Sequence, residues 1–345
     1  MMLERLRWSE ARPSALVIAT LLSLFFFAPT ACAQSVVATV NVGSAPWGVA
    51  YDFGKGEVFV ANEGNSTVSV ISDSTNAVVA TVNVGSRPVG VAYDLGKGEV
   101  FVANPDDNIV SVISESNNAI VATVNVGSGP VGVAYDSGKG EVFVTNGISD
   151  TVSVIDDSTN AVVASVNVGS DPFGVAYDSA KGEVFVANTS DKTVSVISDS
   201  NNAMVAAVPV DSFPAGVAYD SGKGEVFVAN QGNSTVSVIS DSTNDVVATV
   251  TIGSIPYFVA YDSGKSEVFV ANSGSGTVSV ISDSTTSATS RTTTSSTTST
   301  PSSKTTSTPV AEFPQSLVLL VLVGVLLAAS MVAAGALRLG RDLHE

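Results

Sequence analysis

The residues of this chain best placed to do chemistry are six aspartates at constant spacing, Asp52, Asp94, Asp136, Asp178, Asp220 and Asp262, each preceded by a tyrosine. A repeated carboxylate suggests a calcium site, because a hard cation needs several carboxylate and carbonyl oxygens converging on it. Here there is one carboxylate per repeat with a lysine three residues on, as in Asp52 and Lys55. That pattern reads as an ion pair steadying a turn, and no metal is assigned. Six asparagines, at 62, 104, 146, 188, 230 and 272, recur in the same way. They could ring a channel and hold a ligand, but the reading preferred for them is an Asx hydrogen bond closing a turn. The single histidine, His344, and the single cysteine, Cys32, lie at the two ends of the chain. Disulfide frameworks, Cys/His zinc sites, haem ligation and His-based triads are therefore excluded from the repeated region. With 15 Lys+Arg against 32 Asp+Glu the formal charge is −17, which repels phosphate backbones and excludes a nucleic-acid partner.

The elements that carry these residues repeat every 42 positions, from Tyr51 to Tyr261, in six copies without insertion. Each copy reads GVAYD, a Gly/Lys turn, EVFVAN, TVSVIS, a DSTN turn and VVATVNV, as in residues 48–84. These are four short strands rich in valine and aromatics, separated by Gly, Asn, Asp and Ser turns, with no helical periodicity. A period of 40 to 45 residues holding four strands predicts β-propeller blades. The repeat region opens with a lone copy of the fourth strand at 36–42 and closes after three strands at Asp283. The expected fold is thus all-β, a six-bladed propeller over 34–283 whose ring is closed by the N-terminal strand. Pro209 stands where other fourth strands have Asn, which fits an outer edge strand, where a missing N–H is tolerated.

The runs GVAYD, VFVAN, FVTN at 143–146, TVSVIS and NAVVATVNVG resemble the YVTN family of β-propeller repeats, found in archaeal and bacterial surface-layer-type proteins and in YncE-like periplasmic proteins. The resemblance covers Val36 to Asp283. It implies the propeller fold and assigns no chemistry, since fold does not fix function.

Residues 1–33 read as a secretory signal peptide: Arg5, Arg7 and Arg12, then an apolar run from Ala15 to Phe27, then Ala31-Cys32-Ala33 as a cleavage site. Residues 284–315 read as a Ser/Thr-rich stalk of the kind that carries O-linked sugars. Residues 316–337 are apolar or small over the length a transmembrane helix requires, and Arg338 and Arg341 follow in a cytoplasmic tail, 338–345. The run VAEFP at 310–314, with that helix and the arginines, is similar to a PEF-type archaeal sorting signal, with Ala311 departing from its usual proline. These segments together predict a cell-surface, membrane-anchored protein with its N-terminus outside and its C-terminus cytoplasmic.

Comparing the six copies maps the two faces of the ring. The turns after the first and third strands barely change, whereas the loops after the second and fourth vary freely. A specific contact must come from the variable face, and the candidate ligand-binding residues are Trp47, Arg87, Asp171, Phe173, Phe213 and Tyr257. Aromatics there suit stacking on sugar rings or burial in a protein interface. The residue after each blade proline is apolar in every copy, so packing beneath the loop is the alternative. Sequons at Asn65, Asn188 and Asn233 are candidate glycosylation sites. The chain is expected to be a non-catalytic envelope component or adhesion module, with no cofactor, a surface glycan or envelope protein as partner, and the variable face turned away from the membrane. The alternative is an extracytoplasmic lyase, lactonase or dehydrogenase with its site at the channel mouth.

Overall fold

The computed structural model of the chain describes residues 37–282 and 291–293. The signal peptide, the bulk of the stalk, the apolar C-terminal run and the tail lie outside the described residues. The repeats fold as a six-bladed β-propeller of four-stranded antiparallel sheets, each made of strands consecutive in the chain. In the first blade the inner strand is Pro46–Asp52, followed by Glu57–Asn62, Thr67–Ser72 and an outer strand, Ala77–Asn83.

Local chemistry explains each turn. Asp52 Oδ1 accepts from the backbone N–H of Gly54 at 2.6 Å and of Lys55 at 3.1 Å, and Gly56 supplies the positive φ, 68°, that ends the turn. Asn76 does the same at the DSTN turn with a φ of 52°. The second and third strands are buried on both faces, as strands sandwiched between blades must be. The outer strand alternates, with Val82 turned inward and its neighbours exposed. Pro209 ends the outer strand of the fourth blade and is exposed, as an edge position allows.

From the first blade to the sixth, each blade packs on the next through one apolar cluster. Phe59, Val68, Val70 and Val82 of the first blade meet Val100, Val102 and Ile113 of the second, all fully buried or nearly so. Four more clusters of this kind join blades two to six. Polar ties run beside them. Tyr93 donates its hydroxyl to Glu115 at 2.6 Å, and burial together with hydrogen bonds to Glu115 and to Asp52 of the preceding blade pushes its pKa well up. In the first four blades the turn lysine bonds a carbonyl of the next blade and not the aspartate of its own turn: Lys55 Nζ donates to the carbonyl of Glu115 in the next blade, and Lys97, Lys139 and Lys181 repeat the contact one blade on. The aspartate is fully buried with its Oδ1 held by its own turn, so the exposed lysine reaches the neighbouring carbonyl instead.

The seam between the sixth blade and the first differs. Val278 is 42% exposed, whereas its counterparts Val68, Val110, Val152, Val194 and Val236 are at 0%. On the other side Val49 is 60% exposed, and among the described residues no apolar cluster joins these two blades. Nor does residue 37–42 complete the last blade as the sequence suggested. That segment carries no strand, and the partner of Thr277–Ser282 is Arg291–Thr293, in the register Val278↔Thr293 and Val280↔Arg291. The physical reason is locality: Arg291 follows Ser282 by nine positions, so their pairing costs less chain entropy than joining the two ends of the domain.

Candidate functional site

The six inner strands line a cavity on the ring axis with a volume of ≈ 440 Å³. Its wall is built of rungs such as Val89-Gly90-Val91 and Val131-Gly132-Val133. The glycines are required there because inner strands of adjacent blades run almost in contact. A Cβ at Gly48, Gly90, Gly132, Gly174 or Gly216 would lie 2.0 to 2.4 Å from a carbonyl oxygen of the next blade. In the sixth blade that position is Phe258, 47% exposed. A side chain there is incompatible with the close approach of the other five, so the seam is wider and the Phe258 ring lines the cavity.

At the mouth three of the residues that follow the blade prolines converge. The ring of Tyr257 stands edge-on to Trp47 at 5.8 Å and 83°, and to Phe173 at 5.3 Å and 87°. Phe258 joins them, 5.0 Å from Tyr257 and 6.2 Å from Trp47. Blades one, four and six therefore meet near the axis. Tyr257 can reach Phe173 past the fifth blade because the residue there is Ala215, small and fully buried. Thr145 braces this arrangement: it stands where the other blades have Ala, accepts from Gly132 N–H at 2.8 Å and donates to the Phe173 carbonyl at 2.8 Å.

Three of the six residues expected from the sequence, Trp47, Phe173 and Tyr257, thus form one cluster, and Asp171 stands exposed two residues before Phe173. Burial, then the charges of Asp171 and Glu63, push the Tyr257 hydroxyl above its ordinary pKa. Arg87 is instead held on the rim by Glu63 at 3.1 Å and Asp106 at 3.0 Å, contacts that raise its pKa. Phe213 is 52% exposed, and its ring sits over Gly232, apart from the cluster. Both Arg87 and Phe213 have positive φ, 56° and 54°, as do Ala45, Asp171 and Ile255 at the same point in other blades. The position before the proline shapes the loop in every blade, so its identity is free to vary while its backbone is not.

Other carboxylates of this face are used within the loops. Asp107 accepts from Ser86 N–H at 2.6 Å, Asp191 from Ser170 N–H at 2.7 Å, Asp150 from Asp171 N–H at 2.9 Å, and Asp211 from the Thr235 hydroxyl at 2.8 Å. The repeated asparagines neither line the cavity nor close Asx turns. Asn146 Nδ2 crosses to the third strand, donating to Thr151 at 3.1 Å and Ser153 at 3.0 Å. Burial of the second strand on both faces leaves that amide only cross-strand partners. For the same reason Asn188 is closed to a glycan in the folded chain, being fully buried with Nδ2 donating to Thr193 and Ser195, both at 2.9 Å. Asn65 and Asn233 are exposed.

Sequence reasoning missed Phe258 and Thr145. The signal was available in both cases as the single departure from a position otherwise uniform in the six repeats, Gly in one and Ala in the other.

No family profile and no curated protein sequence matches this chain. Solved structures do resemble it. A chain of Kuenenia stuttgartiensis hydrazine synthase is similar with a TM-score of 0.50 and 15% identity, over 72% of this chain and 98% of that one. A functionally unknown protein from Desulfotomaculum acetoxidans is similar with a TM-score of 0.61 and 16% identity, over 68% of this chain and 78% of that one. The likeness is one of fold alone.

Proposed function

We propose that this chain is a non-catalytic recognition module of the cell surface, a YVTN-type propeller held on a membrane-anchored stalk, and that its ligand seats at the aromatic mouth of the axial cavity. The observation that supports this reading is the convergence of Trp47, Phe173, Tyr257 and Phe258, from three different blades, over a cavity of ≈ 440 Å³ walled by valine and glycine. A uniform ring would satisfy the fold, whereas this asymmetric aromatic set at a concave apolar site is the arrangement by which small ligands and partner tips are held. The leader, stalk and apolar C-terminal run support the surface location, and the PEF-like motif supports an archaeal or bacterial envelope. The partner is an envelope glycan or protein presented to the variable face.

Binding of the purified chain to stripped envelopes tests the reading. The variant Trp47→Ala/Phe173→Ala/Tyr257→Ala should lose at least about tenfold in apparent affinity, while Lys97→Ala/Lys139→Ala, on the opposite face, should bind like wild type. Equal binding by all three proteins would remove the site.

A further inference from the structure

We infer that the ligand of this mouth carries a cationic alkylammonium head group, held by the aromatic rings and by the carboxylate of Asp171. This rests on the reading of the mouth as the recognition site and names the class of ligand it takes. Three observations converge on it. The rings stand steeply to one another, at 83°, 87°, 79° and 62°, so they form walls and not a stack. Trp47 is 39% and Phe258 47% exposed and both line the cavity, so part of each ring is open to a ligand there. Such faces attract cations, most strongly for tryptophan and most strongly where water is excluded.

The charge around the rings points the same way. Of the two cations on the described loops of this face, Arg87 is spent on two carboxylates, Glu63 and Asp106, and Lys192 lies in the loop after the second strand of the fourth blade. Asp107, Asp150, Asp191 and Asp211 each accept a hydrogen bond that holds a loop. Asp171 is exposed and has no cationic partner among the described residues, and its charge is felt at Tyr257. An anionic head group would be repelled by Asp171, and a neutral one would gain nothing from its charge. A compact alkylated ammonium satisfies both the rings and the charge, and its apolar substituents fit the valine-glycine wall below.

Choline, 3,3-dimethyl-1-butanol and 3,3-dimethylbutyrate share one branched shape with a cationic, a neutral and an anionic charge. Their binding to the full chain is read by ligand-observed NMR and by Trp47 fluorescence, with Trp47→Phe as the reference that retains a ring. Choline should bind about tenfold or more tightly than the alcohol, and the carboxylate should not compete. Asp171→Asn, which suits the positive φ of that position, should reduce the choline preference several-fold and leave the alcohol unchanged, and Tyr257→Ala should weaken both. Equal binding of choline and the alcohol, both lost in Tyr257→Ala, would overturn the cationic assignment while leaving the mouth as a site. A choline preference that survives Tyr257→Ala and Asp171→Asn, or no binding of choline at all, would overturn the inference too. The envelope assay then decides separately whether the mouth is a recognition site.

Discussion

A single methyl group added to the inner ring tests the packing that shapes the mouth. In Gly90→Ala the new Cβ would lie 2.0 Å from the carbonyl oxygen of Val131, whereas ordinary van der Waals contact begins at 3.4 Å. The inner strands must therefore separate by about 1.4 Å, and the obstacle is backbone, which cannot turn aside as a side chain does. Overpacking of cores costs roughly 1–3 kcal/mol where side chains can yield, so about 3 kcal/mol is expected here. For a domain of this size each kcal/mol shifts Tm by roughly 2–4 °C, which gives a loss of about 6–12 °C by calorimetry. The matched control is the same ring position in the sixth blade. Phe258→Ala removes a ring that is 47% exposed, so it forfeits about half of the roughly 1.5–3 kcal/mol of full burial and creates no clash. Its Tm should fall by less than half as much. A Gly90→Ala protein within about 2 °C of wild type, or no less stable than Phe258→Ala, would refute the claim that close strand approach sets the ring and that the seam escapes it.

Two further outcomes follow from the same packing. Burial pushes the pKa of Glu99, Glu141 and Glu183 above the ordinary 4.5, so the folded chain holds more protons at these sites than the unfolded chain. Their contribution therefore favours the fold at acid pH and is lost as pH rises from about 4.5 through the raised folded values; the triple Gln variant should be the more stable protein at pH 7, with the difference vanishing by pH 4, and a difference that does not change with pH would sink the assignment. At the seam, the amides of Val278 and Val280 should exchange with deuterium at least about tenfold faster than those of Val236 and Val238, because the outer strand Arg291–Thr293 provides three paired positions where the fifth blade has six; equal protection would show the seam to be closed.

Much of the fold is legible in the sequence because a propeller is a sum of local decisions. Val-rich strands, Asx turns and glycines at fixed offsets repeat every 42 residues, and each repeat needs only its neighbours to bury its faces. Strand order, blade count and the exposed place of Pro209 follow from that periodicity. Four of the six residues that follow the blade prolines, Trp47, Val89, Val131 and Phe173, line the cavity. The sequence also held the two exceptions that matter, Phe258 among glycines and Thr145 among alanines, because identity of repeats makes any departure visible.

Only the tertiary structure could decide which variable residues meet. Trp47, Phe173 and Tyr257 lie in three blades, up to 210 positions apart, and their contact depends on the small Ala215 between them and on a seam widened by Phe258. The lysines found carbonyls of the next blade, the asparagines found hydroxyls across the hairpin, and Asn188 was sealed by burial, none of which a one-dimensional spacing encodes. Sequence periodicity fixes what a residue does within its own blade. What passes between blades depends on how closely two backbones approach, and that distance is set by the side chain, or its absence, in the neighbour.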